Sequence, residues 1–286
     1  MHIASQCAPL TDRPACFALG LSRSPVNGRA KGSGFTLLEM MLVLLILSML
    51  AGLFVTARIA SMMDERKDLT LTRMQTIQKQ VIWFRQINHR LPCPANPALT
   101  IASTSYGKEN QAGACDPSLG GYPGTINVAA GSVPSKTLRL GDEFMYDGYG
   151  RRFTYEVAQE FTKPKAFCTW PISGSGVLGL TIKDESANVL SNQMLYALIS
   201  FGLNGHGAYL QSGQLFSNGN TNANVAQNCA CTSTGGTSSP NGTLIDAPFT
   251  QTNTGANNGY DDILSYASRE QIASQDDING TTEVCP

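Results

Sequence analysis

An acidic residue within an apolar stretch is the first feature of this sequence with chemical consequences. Glu39 is the only formally charged side chain between Phe35 and Ala57. A helix over that stretch would be roughly 34 Å long, enough to cross the hydrocarbon core of a bilayer. A carboxylate inside such a helix costs roughly 3 kcal/mol. We therefore expect Glu39 to meet a partner of opposite charge.

Cysteines are the second group of reactive side chains. Cys7 and Cys16 precede the apolar stretch, and six cysteines follow it. Six cysteines spread through a domain are typical of an oxidising compartment, where three disulfides among them allow 15 connectivities. The candidates are Cys93, Cys115, Cys168, Cys229, Cys231 and Cys285.

The spacing of the cysteines favours one pairing and disfavours another. A disulfide between Cys93 and Cys115 would close a loop of about 22 residues, worth roughly 3 kcal/mol in the entropic account. Cys229 and Cys231 are separated by one residue, a spacing that we expect to be too tight for them to pair with each other. Each is expected to pair elsewhere, with Cys168 and Cys285 as the remaining partners. A metal site on these two is not expected, since no histidine or further cysteine lies nearby in the sequence.

The remaining polar residues do not form a catalytic motif. His206 lies between two glycines, but the sequence has no Gly-x-Ser-x-Gly elbow to go with it. Gly148-Tyr149-Gly150 lacks the rest of a dinucleotide-binding or Walker pattern. The net charge of −1, with 14% charged residues, gives no support for a nucleic acid partner. We expect neither enzymatic activity nor an organic cofactor.

The elements that position these residues begin with a long helix. Residues 1–34 form a basic leader interrupted by three prolines, and residues 35–57 form the apolar helix. Residues 58–91 continue the helix with an amphipathic pattern. Its apolar stripe consists of Ile59, Met63, Met74, Ile77, Val81 and Phe84. Pro92 and Pro94 end the helix, because proline removes a backbone donor and restricts the residue before it.

Residues 29–57 as a whole resemble the class III signal of type IV pilins and type II secretion pseudopilins. The matching residues are Lys31, Gly32, Gly34, Phe35, Thr36, Leu37 and Glu39, followed by the apolar run from Met40 to Leu47. The resemblance implies that a prepilin peptidase cleaves between Gly34 and Phe35 and methylates the new amine of Phe35. It further implies that this amine neutralises Glu39 of a neighbouring subunit.

The same resemblance predicts the fold, the partners and the location. It implies an α+β, pilin-like protein in which the long helix packs on a small antiparallel β-sheet head with long loops. Residues 92–286 would form that head, outside the cytoplasm and containing the disulfides. The partners would be the peptidase, other pilin or pseudopilin subunits and an assembly platform in the bacterial inner membrane, which the helix would cross once.

Within the head, the sequence predicts a few elements separated by loops. Residues 95–140 are expected to be a connecting loop, and residues 176–183 and 194–201 are expected to be strands. Residues 142–157 predict a turn followed by a strand, and resemble the turn that opens the sheet in pseudopilins. Residues 211–258, rich in Asn, Gly, Ser and Thr, are expected to be a surface insertion without regular structure.

A calcium site is a further implication of the resemblance. The run into Gly202 resembles a junction of major pseudopilins that leads to a calcium-binding loop ending in Asp-Ile, here Asp261, Asp262 and Ile263. Calcium takes six to eight oxygen ligands, and Asn204 stands where an acid is expected. The alternative is that Asp262 caps a turn or the entry to a strand.

Three other interpretations of the amino-terminal region remain. The first is a secretory signal peptide cleaved after Val55-Thr56-Ala57, although its apolar core would exceed the usual 7–15 residues. The second is a plain membrane anchor in which Glu39 is incidental. The third is a membrane-tethered binding domain that never polymerises and uses the 211–258 insertion for recognition. The sequence does not separate a pseudopilin from a minor pilin.

Overall fold

The computed structural model describes residues 35–110, 115, 128–164, 167, 179–231, 242–250, 259–268 and 270–272, and only the backbone of residues 51 and 53–60. The protein has an α+β fold with a helix at its amino terminus and a mixed sheet. The chain divides into two compact units between Phe54 and Val55. The elements are α1 (Leu37–Asn88), β1 (Val128–Ser132), β2 (Thr154–Ala158), β3 (Leu180–Lys183), β4 (Val189–Ser200), α2 (Ala223–Cys229), β5 (Thr243–Ile245) and β6 (Ile263–Ser268).

Helix α1 contains 52 residues and no proline. It ends at Asn88, three residues before the predicted end. The next residue, His89, has a φ of 51°, in the left-handed region, which interrupts the helix ahead of Pro92. Among the residues that the structure describes, no helix has both the length and the apolar character needed to span a membrane.

The apolar stripe on the second part of α1 is buried, as predicted. Met74, Ile77, Val81 and Phe84 are each exposed by 6% or less and share a core cluster with the sheet. Met63 is half-buried, and the side chain of Ile59 lies outside the described residues. The sheet side of this cluster includes Phe153, Tyr155, Val157, Leu195, Tyr196 and Leu198.

The sheet is organised around the long strand β4. The first half of β4 pairs with β3, and its second half pairs with β2 and with β6, all antiparallel. Strand β1 extends the sheet beyond β2. Strand β5 pairs with β3 in parallel, so the prediction of an entirely antiparallel sheet is wrong at that edge.

Both faces of the sheet are buried along the second half of β4, whereas Val189 and Leu190 at its start are exposed. Tyr155 and Leu198 belong to the cluster that contains the α1 stripe, whereas Ala197 and Ile199 belong to a second cluster together with residues of β3 and β5. Such alternation is what a pleated strand requires, since successive side chains point to opposite faces. The second cluster consists of Val128, Leu180, Ile182, Met194, Ala197, Ile199, Phe201, Ala208 and Leu244.

Three elements lie where the sequence predicted only loops. Strand β1 falls within the expected connecting loop 95–140, and α2 and β5 fall within the expected insertion 211–258. Helix α2 has an identifiable cause: the side chain of Asn222 accepts hydrogen bonds from the backbone N–H groups of Asn224 and Val225. The insertion therefore contributes to the sheet and its second core.

Candidate processing and assembly site

The start of α1 is fixed by a side-chain cap. The hydroxyl of Thr36 accepts a hydrogen bond from the backbone N–H of Glu39 at 3.2 Å, and the carbonyl of Thr36 accepts from the N–H of Met40 at 3.1 Å. A threonine at this position satisfies one of the donors that every helix leaves unpaired at its first turn. Phe35 and Thr36 thus precede the helix, which begins at Leu37.

The first turns of α1 expose apolar side chains on all sides. Phe35 is 73% exposed and Leu38 is 76% exposed, and the apolar residues from Met40 to Leu47 are exposed as well. Glu39 is also exposed, and within the described part of the chain its carboxylate has no ion-pair partner. A helix that is apolar all round requires lipid or protein to cover it. Gly34, Lys31 and Gly32 lie outside the described residues.

In the head, the predicted turn after residue 142 contacts α1 directly. The guanidinium of Arg73 donates to the carbonyls of Tyr146 at 2.8 Å and Asp147 at 3.1 Å. The backbone N–H of Gly148 donates to the hydroxyl of Thr70 at 2.9 Å. A Cβ on Gly148 would lie 2.0 Å from the carbonyl oxygen of Arg66. Only glycine allows the turn to approach the helix this closely.

Asp147 organises the turn from inside. Its carboxylate accepts hydrogen bonds from the backbone N–H groups of Tyr149 and Arg151, both at 2.9 Å, and from the hydroxyl of Ser200 at 2.7 Å. Burial raises the pKa of Asp147, and these hydrogen bonds oppose that rise. The turn is thereby joined to the end of β4. Its function in the described structure is to connect α1 with the sheet.

The two aspartates predicted to bind calcium have different partners. Asp261 accepts hydrogen bonds from the backbone N–H and the side-chain amide of Asn204. Asp262 accepts from the side-chain amide of Asn228 at 2.8 Å. Burial raises the pKa of Asp261 to about 6 and that of Asp262 well above its usual value. The described contacts engage both carboxylates with asparagines, and calcium binding stays a prediction.

Cys93 and Cys115 are joined by a disulfide, with their Cα atoms 5.3 Å apart. A bidentate ion pair lies beside it, in which Arg90 contacts both carboxylate oxygens of Glu109 at 2.8 Å. Glu109 also accepts from the backbone N–H of Cys93 at 3.0 Å. The segment after α1 is therefore held to the helix end by covalent and ionic contacts. Cys168 and Cys285 lie outside the described residues.

Cys229 and Cys231 are joined to each other, so the expectation that their spacing prevents pairing is wrong. The reason lies in the residue between them. Ala230 adopts the left-handed conformation at the end of α2, with φ of 46° and ψ of 46°. This reverses the chain and brings the two Cα atoms to 5.1 Å, within the usual range for a disulfide.

His206 lies beside this cysteine pair, a proximity that the sequence alone does not predict. One ring nitrogen of His206 and the sulfur atoms of Cys229 and Cys231 all lie within 4.8 Å of one another. The loop from Gly202 to Gly207 brings the histidine there, since Gly202, Gly205 and Gly207 all have positive φ. The three glycines around His206 could have indicated from the sequence that this loop is tightly folded. They do not specify which cysteines the loop reaches.

A comparison with protein families locates one signature in this chain. Residues 29–55 match the family model of the prokaryotic N-terminal methylation motif. That motif is the signature of the prepilin-type signals of type IV pilins and pseudopilins, so this chain carries a prepilin-type signal. The matched range includes Gly34, Phe35 and Glu39. No curated protein and no solved structure matches the chain.

Proposed function

We propose that this protein is a prepilin-like subunit. A prepilin peptidase cleaves it between Gly34 and Phe35 and methylates the amine of Phe35. The subunit is held in the bacterial inner membrane by residues 35–57, with its head outside the cytoplasm. It is then assembled by an inner-membrane platform into a type II secretion pseudopilus or a type IV pilus. The match of residues 29–55 to the methylation motif carries this proposal.

The exposed first turns of α1 support assembly. Phe35, Leu37 and Leu38 are each more than 70% exposed, and the apolar surface continues to Leu50. In water this surface would associate indiscriminately, so a membrane before assembly and neighbouring helices after assembly are its natural environments. The same surface suits a bilayer and a filament core, since both are apolar.

Electrostatics give Glu39 its role in that assembly. Cleavage leaves a positive amine on Phe35, at the amino-terminal end of α1, where the helix dipole already presents partial positive charge. Glu39 of a neighbouring subunit supplies the opposite charge in surroundings that contain no water. An unpaired charge there is strongly unfavourable. The stable axial register is therefore the one that places the Phe35 amine of one subunit against Glu39 of its neighbour.

The proposal also accounts for the chemistry of the chain. The Gly34-Phe35 bond would be a substrate for another protein's peptidase, and the methylation motif points to a structural pilin-like subunit, which is usually not an enzyme. We therefore propose that the protein is not an enzyme.

The second candidate function is a membrane-anchored extracytoplasmic binding domain that does not polymerise. The secondary structure found within residues 211–258 gives that candidate a folded surface for recognition.

The test of assembly compares two glutamates on the same helix. Glu39→Gln removes the carboxylate at the proposed intersubunit pair, whereas Glu65→Gln alters an exposed glutamate further along α1. Glu39→Gln should be cleaved normally yet be absent from sheared filaments or from cross-linked multimers. Glu65→Gln should be incorporated like the parent protein. Equal incorporation of both variants refutes the register argument.

Mass spectrometry of the mature amino terminus tests processing. An N-methylated Phe35 supports the prepilin proposal. An uncut leader in cells with an active prepilin peptidase refutes it, and favours the binding-domain candidate. An amino terminus at Arg58 would indicate a secretory signal peptide cleaved after Ala57. Co-purification with secretion-system or pilus subunits then separates a pseudopilin from a minor pilin.

A further inference from the structure

The site around His206 is not used by the proposed assembly function. The imidazole is completely buried. Its Nδ1 accepts a hydrogen bond from the backbone N–H of Asn218 at 3.3 Å, and its Nε2 has no hydrogen-bond partner among the described residues. A buried polar atom without a partner destabilises a fold by roughly 1–3 kcal/mol. Because Nδ1 is the acceptor, Nε2 carries the proton of the neutral imidazole, and it becomes a ligand atom only in the other tautomer.

The neighbours of this imidazole are the two sulfur atoms of Cys229 and Cys231. The three potential ligand atoms lie within 4.8 Å of one another, and within the described part of the chain they form the only group of three or more such residues. Cys231 is 6% exposed and Cys229 is half-buried. Two sulfurs and one imidazole thus converge at a site that is largely shielded from water.

Gly207 shows how closely the loop approaches the cysteines. Its φ is +85°, and a Cβ at this position would lie 2.1 Å from Cβ of Cys229 and 3.1 Å from Sγ of Cys231. The backbone N–H of Gly207 donates to the carbonyl of Phe216 at 2.9 Å, which fixes the loop in this position. The site is therefore held by main-chain geometry from two separate segments.

We propose that His206, Cys229 and Cys231 form a redox-dependent binding site for monovalent copper. Thiolate and imidazole ligands favour soft ions such as Cu(I) and Zn(II). Structural zinc requires four ligands, whereas Cu(I) is satisfied by the three that converge here. The ion would be bound by both thiolates and by Nε2. Because Nδ1 accepts the hydrogen bond from Asn218, the neutral imidazole carries its proton on Nε2, so binding requires that proton to move to Nδ1 and the hydrogen bond from Asn218 to break.

The disulfide controls this site. In the oxidised protein the Cys229–Cys231 bond occupies both sulfurs, so copper cannot bind as a thiolate complex. A dithiol reductant breaks that bond by supplying two electrons and two protons, and is itself oxidised to a disulfide. Binding of Cu(I) then displaces the two thiol protons. Only the reduced site accepts the ion.

The test uses the full chain in detergent micelles under anaerobic conditions. A phosphine reduces the disulfides, taking one oxygen from water to become the phosphine oxide and leaving two thiols per bond. After removal of the phosphine, Cu(I) is titrated in competition with a chromophoric chelator. The reduced protein should bind one Cu(I) that the oxidised protein and the double variant Cys229→Ser with Cys231→Ser do not bind.

Matched histidine variants isolate the ligand. His206→Asn retains an acceptor for the N–H of Asn218 but removes Nε2, and should weaken Cu(I) binding by at least about tenfold. His89→Asn is the control, because asparagine tolerates the positive φ at that position. Equal affinity of His206→Asn and the parent protein overturns the proposal, as does retention of that affinity by the double cysteine variant.

X-ray absorption at the copper edge provides a measurement that does not depend on any variant folding. A first shell of two sulfur atoms and one nitrogen atom supports the site. A shell without nitrogen overturns it, as does tighter binding of Zn(II) than of Cu(I) by the reduced protein. Both results leave the prepilin proposal untouched, since peptidase processing depends on Gly34 and Phe35 rather than on these residues.

Discussion

The hydroxyl of Thr36 accepts the backbone N–H of Glu39 at 3.2 Å, so the cap of α1 uses the main chain of Glu39 rather than its carboxylate. One short segment therefore combines two separable properties. Thr36 defines where the helix begins, and the side chain of Glu39 provides the charge that the proposed assembly requires. Substitutions can address the two independently.

Thr36→Val should loosen the first turn of α1. Valine has a similar shape but no acceptor, and loss of such a cap costs about 1 kcal/mol. Amide hydrogen exchange at Glu39, measured on the full chain in micelles, should accelerate about fivefold, which is what that loss of free energy corresponds to. Thr36→Ser keeps the acceptor and Glu39→Gln keeps the donor, so neither should change the exchange. Acceleration in Thr36→Ser equal to that in Thr36→Val would contradict the cap.

Gly148→Ala should separate the turn from α1. The added Cβ would lie 2.0 Å from the carbonyl oxygen of Arg66, a backbone atom that cannot rotate away. The turn must then shift and weaken the hydrogen bond to Thr70, at a cost of about 2 kcal/mol or more in the free energy of unfolding. Chemical denaturation of the full chain measures this loss.

Gly150→Ala is the control for that substitution. A Cβ on Gly150 meets no atom within 4 Å, although its φ of +82° disfavours alanine. Its cost should be limited to the strain of that backbone conformation, about 1 kcal/mol. If Gly150→Ala destabilised the protein as much as Gly148→Ala, the close approach to the helix would not explain the effect.

Glu156 should make the protein less stable as the pH rises from its ordinary pKa of 4.5 to about 8. It lies on β2 between Ala130 and Ala197, is 3% exposed, and one of its carboxylate oxygens has no hydrogen-bond partner among the described residues. Burial raises its pKa to about 8. The folded protein therefore retains a proton that the unfolded chain releases above its usual pKa. The free energy of unfolding therefore falls as the pH rises from 4.5 to about 8.

Glu156→Gln should remove most of that dependence, because glutamine stays neutral. At pH of about 8 the variant should be more stable than the parent by a few kcal/mol, and near a pH of about 4 the two should be similar. Thermal unfolding across this range measures the difference. Glu160→Gln, which alters an exposed ion pair with Lys163, is the control and should follow the parent. Parallel pH profiles for Glu156→Gln and the parent would contradict the assignment.

Removal of the two disulfides should have unequal effects. Cys93 and Cys115 are 22 residues apart, whereas Cys229 and Cys231 are 2 apart. In the entropic account the first bond is worth roughly 3 kcal/mol and the second roughly 1 kcal/mol, because the longer loop restricts the unfolded chain more. Paired serine substitutions and denaturant unfolding measure both values. A larger loss for the shorter loop would refute this ranking.

The part of the fold that the sequence predicted best is the part with strong periodicity. Met74, Ile77, Val81 and Phe84 recur at helical spacing, and all four are buried against the sheet. The turn that includes Asp147 was also predicted, since glycine allows the backbone conformations that a tight turn requires and that other residues rarely adopt, as Gly150 shows with a φ of +82°. In both cases the deciding information lies within a few consecutive residues.

The parts that the sequence missed depend on distant partners. Strand β1 has the sequence Val-Ala-Ala-Gly-Ser, with little intrinsic preference for a strand, and it forms because β2 offers an unpaired edge. The pairing of Cys229 with Cys231 depends on the left-handed Ala230, and the approach of His206 depends on a glycine loop far earlier in the chain. Neither relationship follows from spacing alone.

The central position of β4 has a consequence for how the protein acquires its structure during synthesis. Its second half needs β2, made earlier, and β6, which begins only at Ile263. Pairings so distant along the chain form slowly. Until β6 is made, one edge of β4 is uncovered and open to aggregation or to a chaperone. The head can therefore reach its final state only after Ser268 has left the ribosome.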